Sequence, residues 1–135
     1  MKRIYTAVVC DIFHVGHLNL FRQARELGDY LIVGVHSDSA VESYKRKPIF
    51  GEKDRYEIIR NCRLVDEVIE AAPLVLTEEM VDKYQIDIVV HGDDFVGNDK
   101  YHQVAIDKGI MKYVKYTKGI STTEIIESYS RIIKG

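Results

Sequence analysis

Three short stretches, Ile4 to Val9, Tyr30 to Val35 and Ile86 to Val90, are almost continuously apolar and rich in β-branched residues. A strand with one wet face alternates polar and apolar residues, whereas a strand covered on both faces does not. The stretches therefore call for a parallel sheet with helices on either side. A weaker strand, Val65 to Ile69, lies between the second and third. Met111 to Tyr116 alternates with Lys112 and Lys115, as a strand near a sheet edge does.

Helical patterns fill the intervals. From His17 to Leu27, Leu20, Phe21, Ala24 and Leu27 form one stripe, with Gly28 placed to end the helix. Glu52 to Cys62, Thr77 to Tyr84 and Tyr101 to Lys108 read as further helices. In the last helix Ile125, Ile126, Tyr129, Ile132 and Ile133 make a clean apolar face, preceded by a Ser121–Glu124 capping box and an Ile120–Ile125 staple. The expected fold class is α/β: a single-domain, Rossmann-like doubly wound parallel sheet of about five strands with helices on both faces, spanning residues 1–135. Ligands of such sheets sit beyond the carboxyl ends of the strands, where the strand order switches.

Composition excludes several function classes. The 135 residues carry a net charge of −2, too little positive charge for a protein that binds nucleic acid by neutralising phosphates. The two cysteines, Cys10 and Cys62, form no C-x-x-C, so a disulfide framework or thiolate zinc site is not expected. No apolar run approaches the ~20 residues that span a bilayer. The expectation is a soluble cytoplasmic protein without membrane insertion.

Two polar segments stand at strand ends. In Cys10-Asp11-Ile12-Phe13-His14-Val15-Gly16-His17, two imidazoles flank a glycine at a strand-to-helix turn. The free N–H groups of a helix N-terminus favour an anion, and imidazolium groups would add positive charge. The alternative is that both rings merely satisfy hydrogen bonds within the turn. H-x-x-H without a third ligand is weak evidence for a metal, so no protein metal site is expected. The second segment, Thr117-Lys118-Gly119-Ile120-Ser121-Thr122-Thr123, offers hydroxyls and amides at another helix start and reads equally as a cap or an anion site. No G-x-x-x-x-G-K-[ST] or G-x-G-x-x-G occurs. Two such helix starts still describe a polyphosphate cradle.

Together these residues resemble the cytidylyltransferase family of nucleotidyltransferases. The family's marks are H-x-G-H after the first strand and R-T-x-G-[IV]-S-T-[ST] before the last helix. They correspond here to His14-Val15-Gly16-His17 and to Thr117-Lys118-Gly119-Ile120-Ser121-Thr122-Thr123. Arg55-Tyr56 is similar to the family's E-R-Y helix, Arg63 to Ile69 to its R-Y-V-D-E-V-[IV] segment, and His91-Gly92-Asp93-Asp94 to its H-G-D-D loop. The resemblance covers nearly the whole chain in order.

It implies transfer of CMP from CTP to a small phosphorylated alcohol, of the glycerol 3-phosphate or ethanolamine phosphate type, with release of pyrophosphate. Mg²⁺ would accompany the triphosphate, and a homodimer is expected by the same resemblance. His14 and His17 would hold the triphosphate and stabilise charge at the α-phosphate. Ser121, Thr122 and Thr123 would hold the β- and γ-phosphates. Lys45 would reach the reacting phosphates, unless Lys45-Arg46-Lys47 is only a solvated loop. Arg63 would meet the acceptor phosphate or the triphosphate, its alternative being a surface ion pair with Asp66 or Glu67. Asp93 and Asp94 would shape the nucleotide or acceptor pocket. Val9, Cys10, Asp11, Gly16, His91, Thr117, Gly119 and Ile120 complete the implied nucleotide contacts.

The chain departs from the family at Val8, where a Gly is usual, at Cys10, and at Tyr116, where the late motif has its Arg. An adenylyltransferase for a sugar phosphate or vitamin precursor, and a nucleotide-binding module without turnover, stay open as alternatives. Choline-type members place an Asp where Ala7 stands and an aromatic where Leu74 stands. The head-group contacts for choline are thus weakened, with Phe95 the nearby aromatic that could compensate.

Overall fold

The computed structural model describes residues 1–134, with the side chain of Phe95 outside the description. Its five strands are β1 (Arg3–Val8), β2 (Tyr30–Val35), β3 (Glu67–Glu70), β4 (Ile88–Gly92) and β5 (Met111–Val114). They form one parallel sheet in the order β3-β2-β1-β4-β5. The long stretches become the three central strands, and Leu31, Ile32, Val33 and Val35 of β2 are buried. The weaker β3 and the lysine-alternating β5 are the edges. The register of the central pair runs from Arg3 opposite Tyr30 to Val8 opposite Val35. The order reverses between β1 and β4, which places a ligand cleft beyond their carboxyl ends.

Among the described residues five α-helices connect the strands, α1 (Val15–Arg25), α2 (Asp38–Glu42), α3 (Glu52–Arg60), α4 (Glu78–Lys83) and α5 (Gln103–Asp107), and a sixth, α6 (Thr122–Lys134), follows β5. Phe21 and Ala24 of α1 and Tyr56 and Ile59 of α3 join Ile4, Leu31, Val33 and Val90 in one core layer. Met80 and Val81 of α4 and Ala105 of α5 join Tyr5, Ile32 and Val89 in the layer on the opposite face. Thr77 caps α4 by accepting the Met80 amide at 3.2 Å.

Two sequence readings change. Helix α1 ends at Arg25 with Glu26 as its C-cap, and Gly28 serves a different need. A Cβ there would lie 2.7 Å from Cδ1 of Ile4 and 2.8 Å from the carbonyl oxygen of Lys2, so the glycine lets the chain pass close over β1. The apolar face of α6 is real, but no α6 residue is buried, and Tyr129, Ile132 and Ile133 are 63%, 78% and 65% exposed. Among the described residues nothing covers its far half. Helix α2 has no sequence counterpart above, being a five-residue turn capped by Ser37. None of the described helices is long and apolar enough to cross a membrane.

Candidate active site

The loop from Val9 to His14 leaves β1 in an uncommon conformation. Cys10 and Ile12 take φ of 54° and 51°, left-handed values that cost a residue with a Cβ about 1–2 kcal/mol each. Three anchors hold it. The guanidinium of Arg55, fully buried, donates to the carbonyls of Val9 (2.8 Å), His36 (2.8 Å) and Phe50 (3.0 Å) and pairs with Asp38 (2.8 Å). One side chain of α3 thereby ties down the loops that follow β1, β2 and α2.

Asp11 is the second anchor. Its carboxylate accepts the amides of Ile49 (2.8 Å) and Phe50 (2.9 Å) and pairs with Arg46 (3.0 Å). Burial pushes the carboxyl upward, but those donors outweigh it and hold it below the usual carboxylate range. The implied nucleotide contact of Asp11 is therefore redirected: its carboxylate fixes the loop carrying Lys45, whose neighbour Arg46 is not a free basic residue. The third anchor is the hydroxyl of Thr122, which donates to the carbonyl of Asp11 and brings the start of α6 against the loop.

His14 is the N-cap of α1. Its Nδ1 accepts the Gly16 amide at 3.0 Å, while Nδ1 of His17 accepts the His14 amide at 3.1 Å. Each ring thus closes the helix start for the other, with centroids 3.9 Å apart. An Nδ1 that accepts a hydrogen bond has no proton, so each neutral ring carries its proton on Nε2. Burial lowers both pKa values, that of His17 to about 4 with help from the charges of His14 and Lys45. The imidazolium pair expected from the sequence is corrected by this geometry: the rings are neutral Nε2–H donors. Gly16 is needed because a Cβ there would meet Cε1 of His14 at 2.7 Å and Nδ1 at 2.9 Å.

A cleft of about 410 Å³ opens at the switch point. Ala7, Val8, Val9, Cys10 and Asp11 form its floor; His17, Lys45, His91, Asp94 and Thr122 stand around it. Val8 lines the cleft and packs into the core layer with Ile4 and Cys10. The Cys10 thiol belongs to the core beneath, where burial raises its pKa well above the ordinary value and keeps it protonated. Lys45 has its pKa lowered by burial and by Arg46, and its ammonium lies 5.6 Å from the Tyr44 ring. Nδ1 of His91 donates to the Gly92 carbonyl at 3.0 Å.

At α6, Ser121 Oγ accepts the Glu124 amide at 3.1 Å, the hydroxyl half of the expected box. The amides of Thr122 and Thr123 are in the first turn, which gives them no partner within the helix. Thr117 accepts from Asn19 of α1 at 3.1 Å, and Gly119 turns with φ 84°. Ile120 approaches Gly16, its Cγ2 lying 3.7 Å from where a Cβ would stand. The second segment therefore lies against α1, and the two helix starts face one cleft. Asp93 instead accepts the Tyr116 amide at 3.0 Å and shapes the turn outside it.

Arg63 is not brought to the cleft. It is exposed in the turn entering the amino end of β3, at the end of the sheet opposite the cleft. Its expected surface partners are taken, Asp66 by Arg25 and Glu67 by Arg3.

A model of the cytidylyltransferase-like family matches residues 9–128. The chain belongs to the cytidylyltransferase-like family. Within it, the ethanolamine-phosphate cytidylyltransferase of Dictyostelium discoideum is 43% identical over 128 residues, covering 92% of this chain and 35% of that protein. The choline-phosphate cytidylyltransferase A of Mus musculus is 37% identical over 137 residues, covering 98% and 36%. This cytidylyltransferase-like chain thus spans about a third of the length of these curated relatives. Among solved structures, the lipopolysaccharide core biosynthesis protein from Thermoplasma volcanium GSS1 superposes with a TM-score of 0.70 at 26% identity, covering 87% of this chain and 99% of that one.

Sequence reasoning missed part of the cleft. His36, Tyr44, Tyr101 and His102 line it, so that four of the five histidines stand on it and the fifth, His14, stacks on His17. His36 is 7% exposed and donates from Nδ1 to the Ala72 carbonyl at 2.8 Å. His102 donates from Nδ1 to Asp99 at 2.7 Å, and the same carboxylate accepts the Tyr113 hydroxyl at 2.9 Å. The one sequence signal for them is five histidines in a chain of this length, most of them near strand ends.

Proposed function

We propose that this domain transfers CMP from CTP to a small phosphorylated alcohol of the ethanolamine phosphate or glycerol 3-phosphate type. The observation that carries the reading is the crossed histidine cap: two Nε2–H donors at one helix start, opposite the amides of a second. Such a cradle suits a chain of phosphates and needs no covalent enzyme intermediate.

An oxygen of the acceptor's phosphate attacks the α-phosphorus of CTP in line. The bond from that phosphorus to the bridging oxygen breaks, pyrophosphate leaves, and a new P–O–P anhydride joins CMP to the acceptor. The attacking oxygen is already anionic, so no general base is required. His14 and His17 donate to the α-phosphate oxygens, where negative charge concentrates as the bonds exchange. Thr122 and Thr123 hold the outer phosphates by their amides, and Lys45 neutralises the reacting groups from the facing loop. Mg²⁺ would come with the triphosphate and neutralise charge on its phosphate oxygens. Asp94, on the cleft, is the carboxylate that would meet it, since Asp11 is engaged by Ile49, Phe50 and Arg46.

Incubation with Mg-CTP and a panel of phosphomonoesters, following pyrophosphate, tests the proposal. Turnover with CTP is expected. Turnover with ATP alone would replace the cytidylyl reading by the adenylyl one, and nucleotide binding without pyrophosphate from any acceptor would leave a binding module. The homodimer belongs to the same proposal and is read by sedimentation.

A further inference from the structure

The cradle has two halves on separate elements, the histidine pair at the start of α1 and the amides of Thr122 and Thr123 at the start of α6. A chain of phosphates is held well only if the gap between the halves is fixed. Burial does not fix it, since no residue of α6 is buried. The segment that brings α6 to the cleft, from Lys115 to Ser121, is half-buried or exposed throughout. Polar contacts must hold it.

Two side chains of α1 do so. Nδ2 of Asn19 donates to the Thr117 hydroxyl at 3.1 Å, and Nε2 of Gln23 donates to the Lys115 carbonyl at 3.1 Å. Asn19 and Gln23 are four residues apart, which puts them on one helix face with a rise of about 6 Å. Thr117 and Lys115 are two residues apart, about 6–7 Å along an extended chain. The spacings match, with the segment running antiparallel to α1 and Thr117 nearer the histidines. A guanidinium N–H of Arg22 donates to Oδ1 of Asn19 at 3.3 Å, which fixes the amide with its NH2 end towards Thr117. The Tyr116 amide, between them, donates to Asp93 at 3.0 Å. Three successive residues are thus pinned, two from α1 and one from the turn that follows β4. A slip of one residue would break all three bonds and carry the start of α6 about 3 Å past the histidine pair.

We propose that Asn19 and Gln23 are positioning residues for the nucleotide: they set the register between the two helix starts, and with it the affinity for the triphosphate. This rests on the phosphate-cradle reading of the cleft. Neither side chain lines the cleft, so each acts through the segment it holds. The outer phosphates are gripped alike before and during bond exchange, so a looser register weakens ground state and transition state equally. The signature is a higher KM for CTP at constant kcat.

The test combines the pyrophosphate assay with calorimetric titration of Mg-CTP into the protein. Asn19→Ala and Gln23→Ala should each raise KM and Kd for CTP about 3–10-fold, the worth of one hydrogen bond. Their kcat and their KM for the acceptor should stay within about 2-fold of wild type. Ala is the best helix former, so the urea midpoints should hardly move. Thr117→Ser keeps the accepting hydroxyl and should keep the wild-type Kd. In a Thr117→Val background, where the acceptor is gone, Asn19→Ala should weaken CTP binding less than about 2-fold further. Unchanged Kd in both alanine variants, a fall in kcat with KM unmoved, or full additivity of Asn19→Ala with Thr117→Val would overturn the register role. Should Asn19→Ala fail to fold, Gln23→Ala decides the matter from the next turn of the helix. Tight binding of Mg-CTP without pyrophosphate from any acceptor would overturn cytidylyltransfer alone, and the Kd series would still decide for or against the register.

Discussion

Replacing His14 by Asn separates the two tasks that the ring performs. As N-cap, His14 accepts the Gly16 amide at 3.0 Å, and Asn is among the residues best suited to that position. Stacked on His17, which lines the cleft, it offers an Nε2–H that Asn lacks. The cap is worth about 1 kcal/mol, and the stacked contact with His17 adds about 0.5–1 kcal/mol. His14→Asn should therefore unfold in urea within about 1 kcal/mol of the wild type, while His14→Ala loses about 2 kcal/mol. Removing one donor to the transition-state oxyanion costs about 2.7–4 kcal/mol, or 10²–10³ in kcat, and that loss should be the same in both variants. Pyrophosphate release under saturating Mg-CTP measures the rate. If His14→Asn keeps more than a third of the wild-type kcat, the ring is a helix cap and nothing more. If it is as unstable as His14→Ala, the capping geometry has been misread.

Three further outcomes are expected. Gly16→Ala drives a methyl group into the His14 ring, with contacts at 2.7 and 2.9 Å, and should lower kcat at least about tenfold with small change in KM; full activity would show that the ring can shift without consequence. Arg55→Leu leaves three carbonyls and Asp38 without their donor and should cost about 3–5 kcal/mol in denaturant unfolding, a loss under 1 kcal/mol refuting its role as hub. The folded-state pKa of His17, about 4, lies below its unfolded value of 6.5, so its contribution to stability is full above pH 6.5 and disappears as pH falls towards 4. That amounts to about 3 kcal/mol. A His17→Gln variant should show a shallower fall over this interval, and parallel curves would refute the assignment.

The core strands were legible because burial on both faces removes polar residues, and the observed β2 coincides with its apolar run. One edge of the sheet, β5, was legible from Lys112 and Lys115, whereas nothing in the weaker run from Val65 to Ile69 said that β3 would be the other. The helix starts that hold the cradle were marked by Gly16, Gly119 and hydroxyl residues. What sequence could not show was partnership. Whether an imidazole donates or accepts at Nε2 depends on which backbone group its Nδ1 meets, and for His36 that group is Ala72, 36 residues away. Arg55 reads as one more charged helix residue until four distant oxygens converge on it. Arg63 sits in a motif-like run, yet the direction of β3 sends its turn to the far end of the sheet. The apolar stripe of α6 shows the converse: periodicity defined the helix but did not say whether anything lies against it.

The two walls of the cleft are unequally braced. On one side a single guanidinium and a single carboxylate bind the segments after β1, β2 and α2 into one piece, so that an error at Arg55 or Asp11 displaces Lys45 and the strained Cys10 to Ile12 turn together. On the other, the stretch from Tyr116 to Thr122 is fastened by separate bonds, to Asp93, Asn19 and the Asp11 carbonyl, each of which can fail alone. A substitution in the second wall should therefore loosen one bond at a time, whereas one at Arg55 or Asp11 loosens several together, so the wiring of the loops sets how each wall answers to change.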